Sequence, residues 1–136
     1  DSGICVDVLG GSPGVFAADW AGQKKDDKAN LALLLDQLHD VGEEHRAATF
    51  VSTIALVVPG VDGESAIEHV VEGRWPGRLA RAASGDGGFG YDPIFVPDGQ
   101  EPGHETSVAE WEPARKNAAS HRARAFAVLM PLLTGL

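Results

Sequence analysis

Three short groups of residues in this chain carry the donors, acceptors and flat surfaces that chemistry on a charged ligand needs. Asp1-Ser2-Gly3 offers a carboxylate that can bind a metal ion or take a proton from water, although a plain turn has the same composition. Gly87-Gly88-Phe89-Gly90-Tyr91-Asp92-Pro93 sets three glycines around one aromatic ring. Glycine lets a backbone approach a flat ligand and adopt positive φ, Phe89 can stack on a nucleobase, and Asp92 offers acceptors to a base or a metal. A tight structural loop with Phe89 in the core is the alternative reading. No Gly-Lys-Ser/Thr follows, so this is not a Walker loop. In the third group, Lys116 supplies a point charge suited to phosphate, and Arg122 a planar fork for carbonyl or phosphate oxygens. His121 and Arg122 fall at the first turn of a helix, whose N-terminus favours anions; a solvated basic turn is the plainer alternative.

Other chemistry-bearing residues give weaker signals. His39, His45, His69 and His104 are scattered, with no pair at metal-ligand spacing. Trp20 and Trp75 read as core or interface aromatics, Lys24-Lys25-Asp26-Asp27-Lys28 as a solvated loop and helix start, and Cys5 as an inert thiol on a buried strand.

The elements that must position these groups can be read from pattern. Ile4, Val6 and Val8 alternate, predicting a strand over 4–9 that ends at the Gly10–Gly14 turn. Asp26 and Asp27 open an amphipathic helix carrying Leu31, Leu34, Leu35 and Leu38, closed by Gly42. The β-branched run 47–58 predicts a buried strand, and 59–63 a turn of hairpin length. A second strand is expected over 65–75, interrupted at Pro76-Gly77 and resuming near 78–80. The glycine loop leads into apolar Ile94-Phe95-Val96, and 97–106 reads as a surface loop. A last helix, capped by Ser120, sets Ala125, Val128, Leu129, Leu132 and Leu133 on one side, with a kink or early end expected at Pro131. This order predicts a single α/β or α+β domain with a mixed sheet.

Composition narrows the field. The 136 residues are 43% hydrophobic, enough to bury a core, and the one cysteine excludes an internal disulfide framework and suits a cytoplasmic protein. No apolar run approaches the ~20 residues of a membrane helix, and no signal peptide is visible. A net charge of −9 argues against nucleic-acid binding. A polyphosphate ligand would need local positive charge or a divalent cation.

Taken together and in this order, Asp1-Ser2-Gly3, Leu9-Gly10-Gly11-Ser12-Pro13-Gly14-Val15, Gly88-Phe89-Gly90-Tyr91-Asp92-Pro93, Lys116-Asn117 and Ser120-His121-Arg122 resemble the inosine triphosphate pyrophosphatase family. Glu72-Gly73 and the region of Gly77 look like that family's central strand pair. The resemblance implies an α/β fold with an elongated mixed sheet flanked by helices, in two lobes with the active site in the cleft. It implies hydrolysis of ITP, dITP and XTP to the monophosphate and pyrophosphate with Mg²⁺, usually by a homodimer. Asp1 resembles the family's proton acceptor and metal ligand, and Ser2 a substrate contact. Phe89, Gly90, Tyr91, Asp92, His121 and Arg122 look like the base pocket, and Lys116 like a further substrate contact. Family members are longer, so residues 1–136 are expected to correspond to the C-terminal two-thirds of such a domain. The family usually has arginine at the position of Asp19 and glycine at that of Ala123. The competing expectation is a nucleotide-binding or assembly module that turns nothing over without an upstream Ser/Thr-x-Asn-x-x-Lys segment. An unrelated serine hydrolase using Ser2 and His121 lacks the Gly-x-Ser-x-Gly elbow.

Overall fold

A computed structural model describes residues 1–136. Five strands form one sheet: β1 (Ser2–Val6), β2 (Pro13–Gly14), β3 (Ala47–Val58), β4 (Ile67–Leu79) and β5 (Phe95–Pro97). Their order is β2-β1-β3-β4-β5. The helices are α1 (Asp27–Gln37), α2 (Pro113–Ala119) and α3 (His121–Thr134). The α/β class is as expected. Within it, every strand pairing is antiparallel, so the mixture of strand directions foreseen from the sequence is not found among these five. No helix is long and apolar enough to cross a membrane.

β3 spans the stretch that its β-branched residues predict, and it pairs along its whole length with β4. β4 does not break at Pro76. The Pro76 carbonyl accepts the Asp98 N–H at 3.1 Å, on the β5 side of the strand. Its missing N–H therefore lies on that same side, past the end of three-residue β5, and costs no bond to β3. β1 is shorter than predicted, because residues 7–9 tighten into a 3-10 turn. A Cβ on Gly3 would collide with the Gly14 carbonyl, so the β1–β2 turn closes only over a glycine.

The start of α1 is fixed by Asp26, whose carboxylate accepts the Lys28 and Ala29 N–H groups at 3.0 and 3.2 Å. Leu34 and Leu38 are fully buried against the sheet. The core gathers Ile4, Val6, Phe50, Trp75, Leu79 and Phe95 around them. α3 buries a narrower stripe than expected: His121, Ala125 and Leu129 face the sheet, while Val128 is 51% exposed. The reason is close approach. A Cβ on Gly73 of β4 would meet the His121 carbonyl and the Ala125 nitrogen, so the helix backbone lies directly on the strand there. Pro131 does not end α3, which runs one turn further to Thr134 with the proline exposed to solvent.

The sequence reading did not single out Arg46, which is 1% exposed. Its guanidinium meets no carboxylate. Nε donates to the Leu79 carbonyl (2.7 Å), Nη1 to Leu38 (2.8 Å) and Val41 (3.1 Å), and Nη2 to Ala80 (3.1 Å). One cation thus ties the end of α1 to the end of β4. Burial, and secondarily Arg81, lower its pKa from the usual arginine value. Arg46→Ala would leave four carbonyls without this partner, with a cavity beside them. The expected loss of stability is about 3 kcal/mol or more, read as a fall in the urea midpoint at unchanged slope.

Candidate active site

A cleft of about 140 Å³ opens over the sheet. Its floor is Ser2 and Ile4 of β1 with Phe50 of β3. One wall is the Ala17–Ala18 turn with Asp27 and Asn30 of α1, and the other is Phe89–Asp92, Lys116 of α2, and His121 and Arg122 of α3. Ser2, Phe89, Gly90, Tyr91, Asp92, Lys116, His121 and Arg122 are therefore brought together from four separate segments. Asp1 does not line the cleft. It is exposed, one residue before Ser2, and its backbone extends the β1–β3 ladder by two bonds to Thr53, of 2.9 and 2.7 Å.

The glycine loop is held by its own chemistry. Gly88 has φ +69°, and a Cβ there would strike the Asp92 carboxylate, so both its conformation and its crowding demand glycine. The Phe89 N–H donates to Asp92 Oδ2 (3.0 Å), and the Asp92 N–H donates back to the Phe89 carbonyl (3.2 Å). The Gly90 N–H donates to Asp27 Oδ2 (3.1 Å), which bridges the loop to α1. Tyr91 points away from a ligand role: it is 5% exposed and its hydroxyl donates to the Ala17 carbonyl at 2.6 Å. Burial first, then Asp27 and Asp19, push its pKa up to about 12, so the phenol stays neutral.

Phe89 is 58% exposed, which sets aside the buried-core reading of this ring. Two cations lie over it, Lys116 Nζ at 4.2 Å and the Arg122 guanidinium carbon at 5.3 Å from the ring centroid. Their situations differ. Lys116 Nζ sits 2.5 Å from Asp92 Oδ2 in a mostly buried ion pair, whereas Arg122 has no hydrogen-bond or ion-pair partner. The basic cluster read from sequence is thus less charged than its composition suggests, with Arg122 as its unpaired cation.

His121 adds no charge either. It is 5% exposed and stacks on Phe50 (4.9 Å between centroids, 14° between planes), with Trp75 beyond at 6.5 Å. Its Nδ1 has no hydrogen-bond partner. Burial, then Arg122 and Lys116, lower its pKa to about 4. Ser120 builds the corner that presents these groups. It ends α2, and its hydroxyl accepts the Ala123 N–H at 3.2 Å to cap α3.

Several participants escaped the sequence reading. α2 was not predicted, although Pro113 at its first position is a start signal. Asn30 accepts the Ala21 N–H and donates to the Ala18 carbonyl, both at 2.7 Å, which fixes the turn forming one wall. Asp27 read as part of a capped helix start, and nothing local announced its reach across to Gly90. No three carboxylates, imidazoles or thiols gather into a site that could hold a metal ion.

A model of the Ham1 family matches residues 1–132. Among curated relatives, the chain is 57% identical over its whole length to the dITP/XTP pyrophosphatase of Leifsonia xyli, and 54% identical to that of Nocardia farcinica. It spans 64% and 62% of the lengths of those proteins. Among solved structures, the Staphylococcus aureus Ham1 protein superposes with a TM-score of 0.84 at 36% identity, over 99% of this chain and 65% of that one. The Mycobacterium abscessus nucleoside-triphosphatase / dITP/XTP pyrophosphatase gives 0.78 at 53% identity, over 96% and 64%.

The burial of His121 has a consequence for pH. Its folded pKa lies near 4 against 6.5 for the free side chain, so between these values the unfolded chain binds the extra proton. The stability it contributes is complete above about pH 6.5 and is lost as pH falls toward 4. Urea unfolding at pH 7.0, 5.5 and 4.5 should show this decline, and His121→Asn should flatten that part of it.

Proposed function

Because the chain belongs to the Ham1 family, we propose that it carries the base-binding part of an enzyme that hydrolyses nonstandard purine nucleoside triphosphates, among them ITP, dITP and XTP, to the monophosphate and pyrophosphate. The observation that carries this reading is the Phe89 ring, open to solvent at the cleft and flanked by Lys116 and Arg122. An exposed aromatic ring with hydrogen-bond donors close beside the ligand space suits a purine whose 6-position is an oxo acceptor. Adenine presents an amino donor there and leaves the protein donor unpaired, a penalty of about 1–3 kcal/mol. That logic does not separate ITP from GTP.

Phosphoryl chemistry needs charge neutralisation and an aligned nucleophile more than covalent help. In this reading Arg122 and Lys116 hold the nucleotide, Ser2 contacts it from the floor, and Asp1 orients or deprotonates the attacking water. His121 serves as a neutral wall of the pocket. Mg²⁺, if carried in on the substrate, would supply charge neutralisation for the phosphates and would need only one or two protein carboxylates. The residues here do not form a cage for it, and Asp1 is the single carboxylate this reading assigns to a substrate-borne ion. The lone thiol and the nucleotide substrate suit a cytoplasmic enzyme. Exposed Val57, Ile67 and Val70 on the β3–β4 hairpin, with Phe126 and Met130 on α3, supply apolar surface for a homodimer.

Pyrophosphate release from ITP, XTP, GTP and ATP with Mg²⁺ tests the proposal. ITP and XTP should give the higher kcat/KM. A protein that binds ITP and releases no pyrophosphate would instead be the nucleotide-binding module considered at the outset. Phe89→Ala should raise KM for ITP about 5- to 150-fold, the worth of one base stack, with a smaller change in kcat.

A further inference from the structure

The residue at the centre of the base wall lines the cleft but is almost wholly enclosed. Asp92 is 3% exposed. Its Oδ2 already receives two donors, the Lys116 ammonium and the Phe89 N–H, and Gly88 fills the space beside it so closely that no Cβ would fit. Those two donors belong to the two groups that flank the ligand space: the cation 4.2 Å above the Phe89 ring and the ring itself. We propose that Asp92 is a positioning residue that sets the Lys116 ammonium and the Phe89 ring relative to each other, and that purine selectivity depends on it. This rests on the function proposed above.

First, pairing with Asp92 cancels the charge of Lys116 as seen from a distance, so Lys116 contributes little to attracting a triphosphate. That task falls to unpaired Arg122. What remains of Lys116 is a hydrogen-bond donor at a fixed height over a stacking surface, which is what reading the edge of a stacked base requires. Second, one oxygen holds both groups, so a change at Asp92 disturbs ring and donor together. Loss of Asp92 should therefore erode discrimination between bases without weakening affinity for phosphates, which the uncancelled Lys116 charge would if anything strengthen.

The test is a set of dissociation constants for ITP, ATP and base-free tripolyphosphate, measured by calorimetry on the full chain at one salt concentration. The variants are Asp92→Asn, Lys116→Met and the double substitution, each checked by circular dichroism. The unsubstituted chain should prefer ITP to ATP; no preference would overturn the function proposed above rather than this division of roles. Asp92→Asn should reduce the preference about tenfold or more with tripolyphosphate affinity retained or raised, since Lys116 then carries an uncancelled charge. An unchanged preference, or an equal loss for all three ligands, overturns the inference. In the Lys116→Met background the same Asn substitution should alter the preference less than about twofold; a further tenfold loss would mean that Asp92 touches the base itself, and would also overturn it. Should either single variant fail to fold, the double variant, which buries no unpaired charge, decides. Preference retained without the Asp92–Lys116 pair, or loss of both preference and tripolyphosphate affinity, overturns the inference, and lost preference with retained tripolyphosphate affinity supports it.

Discussion

The architecture turns on one close contact, the backbone of α3 lying against β4 at Gly73. Nothing larger than hydrogen fits between the strand and the His121 carbonyl and Ala125 nitrogen. That proximity places the His121 ring flat on Phe50, with Trp75 beyond it, and so makes the imidazole part of the aromatic core. It also fixes the Ser120 corner, and with it Lys116 on one side and Arg122 on the other. A side chain at position 73 would lift α3, and every residue of that cleft wall would move with it.

Around this contact, buried polar groups do the joining that apolar burial cannot do alone. Arg46 gathers four carbonyls from the ends of α1 and β4. Asn30 ties α1 to the 18–21 turn. Asp92 joins the glycine loop to α2. Each bond has a direction, and a buried donor or acceptor left without a partner costs about 1–3 kcal/mol. These groups therefore hold the segments in one arrangement, whereas apolar surfaces would tolerate sliding.

The sequence was legible where a local pattern decides local structure. The β-branched run over 47–58 forms a strand of those limits, and Asp26 caps α1. The Phe89 loop and the Ser120–Arg122 turn, which the sequence shows as two separate motifs, meet at one cleft. The reading failed where the outcome depends on distant neighbours. Pro76 lies within β4 because its N–H side faces past β5, which no pattern in β4 reports. The α3 stripe is narrow because of a glycine nearly fifty residues earlier. The positive charge inferred from Lys116 and His121 is largely cancelled, by an acid on another segment and by burial against two aromatic rings. Asp1, which composition marked as chemical, stands exposed beyond the cleft lining, and Asp27, marked as a helix start, reaches across to the glycine loop.

The Ser120 corner has a thermodynamic meaning. α2 ends and α3 begins at this one residue, and the hydroxyl cap leaves no linker between them. Lys116 and Arg122 thus ride on two short rods joined at a stiff elbow, above a ring whose loop is pinned to one of them. The backbone carrying these groups, and the Lys116 ammonium paired with Asp92, are ordered when the chain folds. A ligand arriving later has the Arg122 side chain left to order, and keeps more of its other contact energy as affinity. The same stiffness makes the cleft selective by shape, since a base that does not match cannot draw Lys116 toward it without breaking the pair with Asp92.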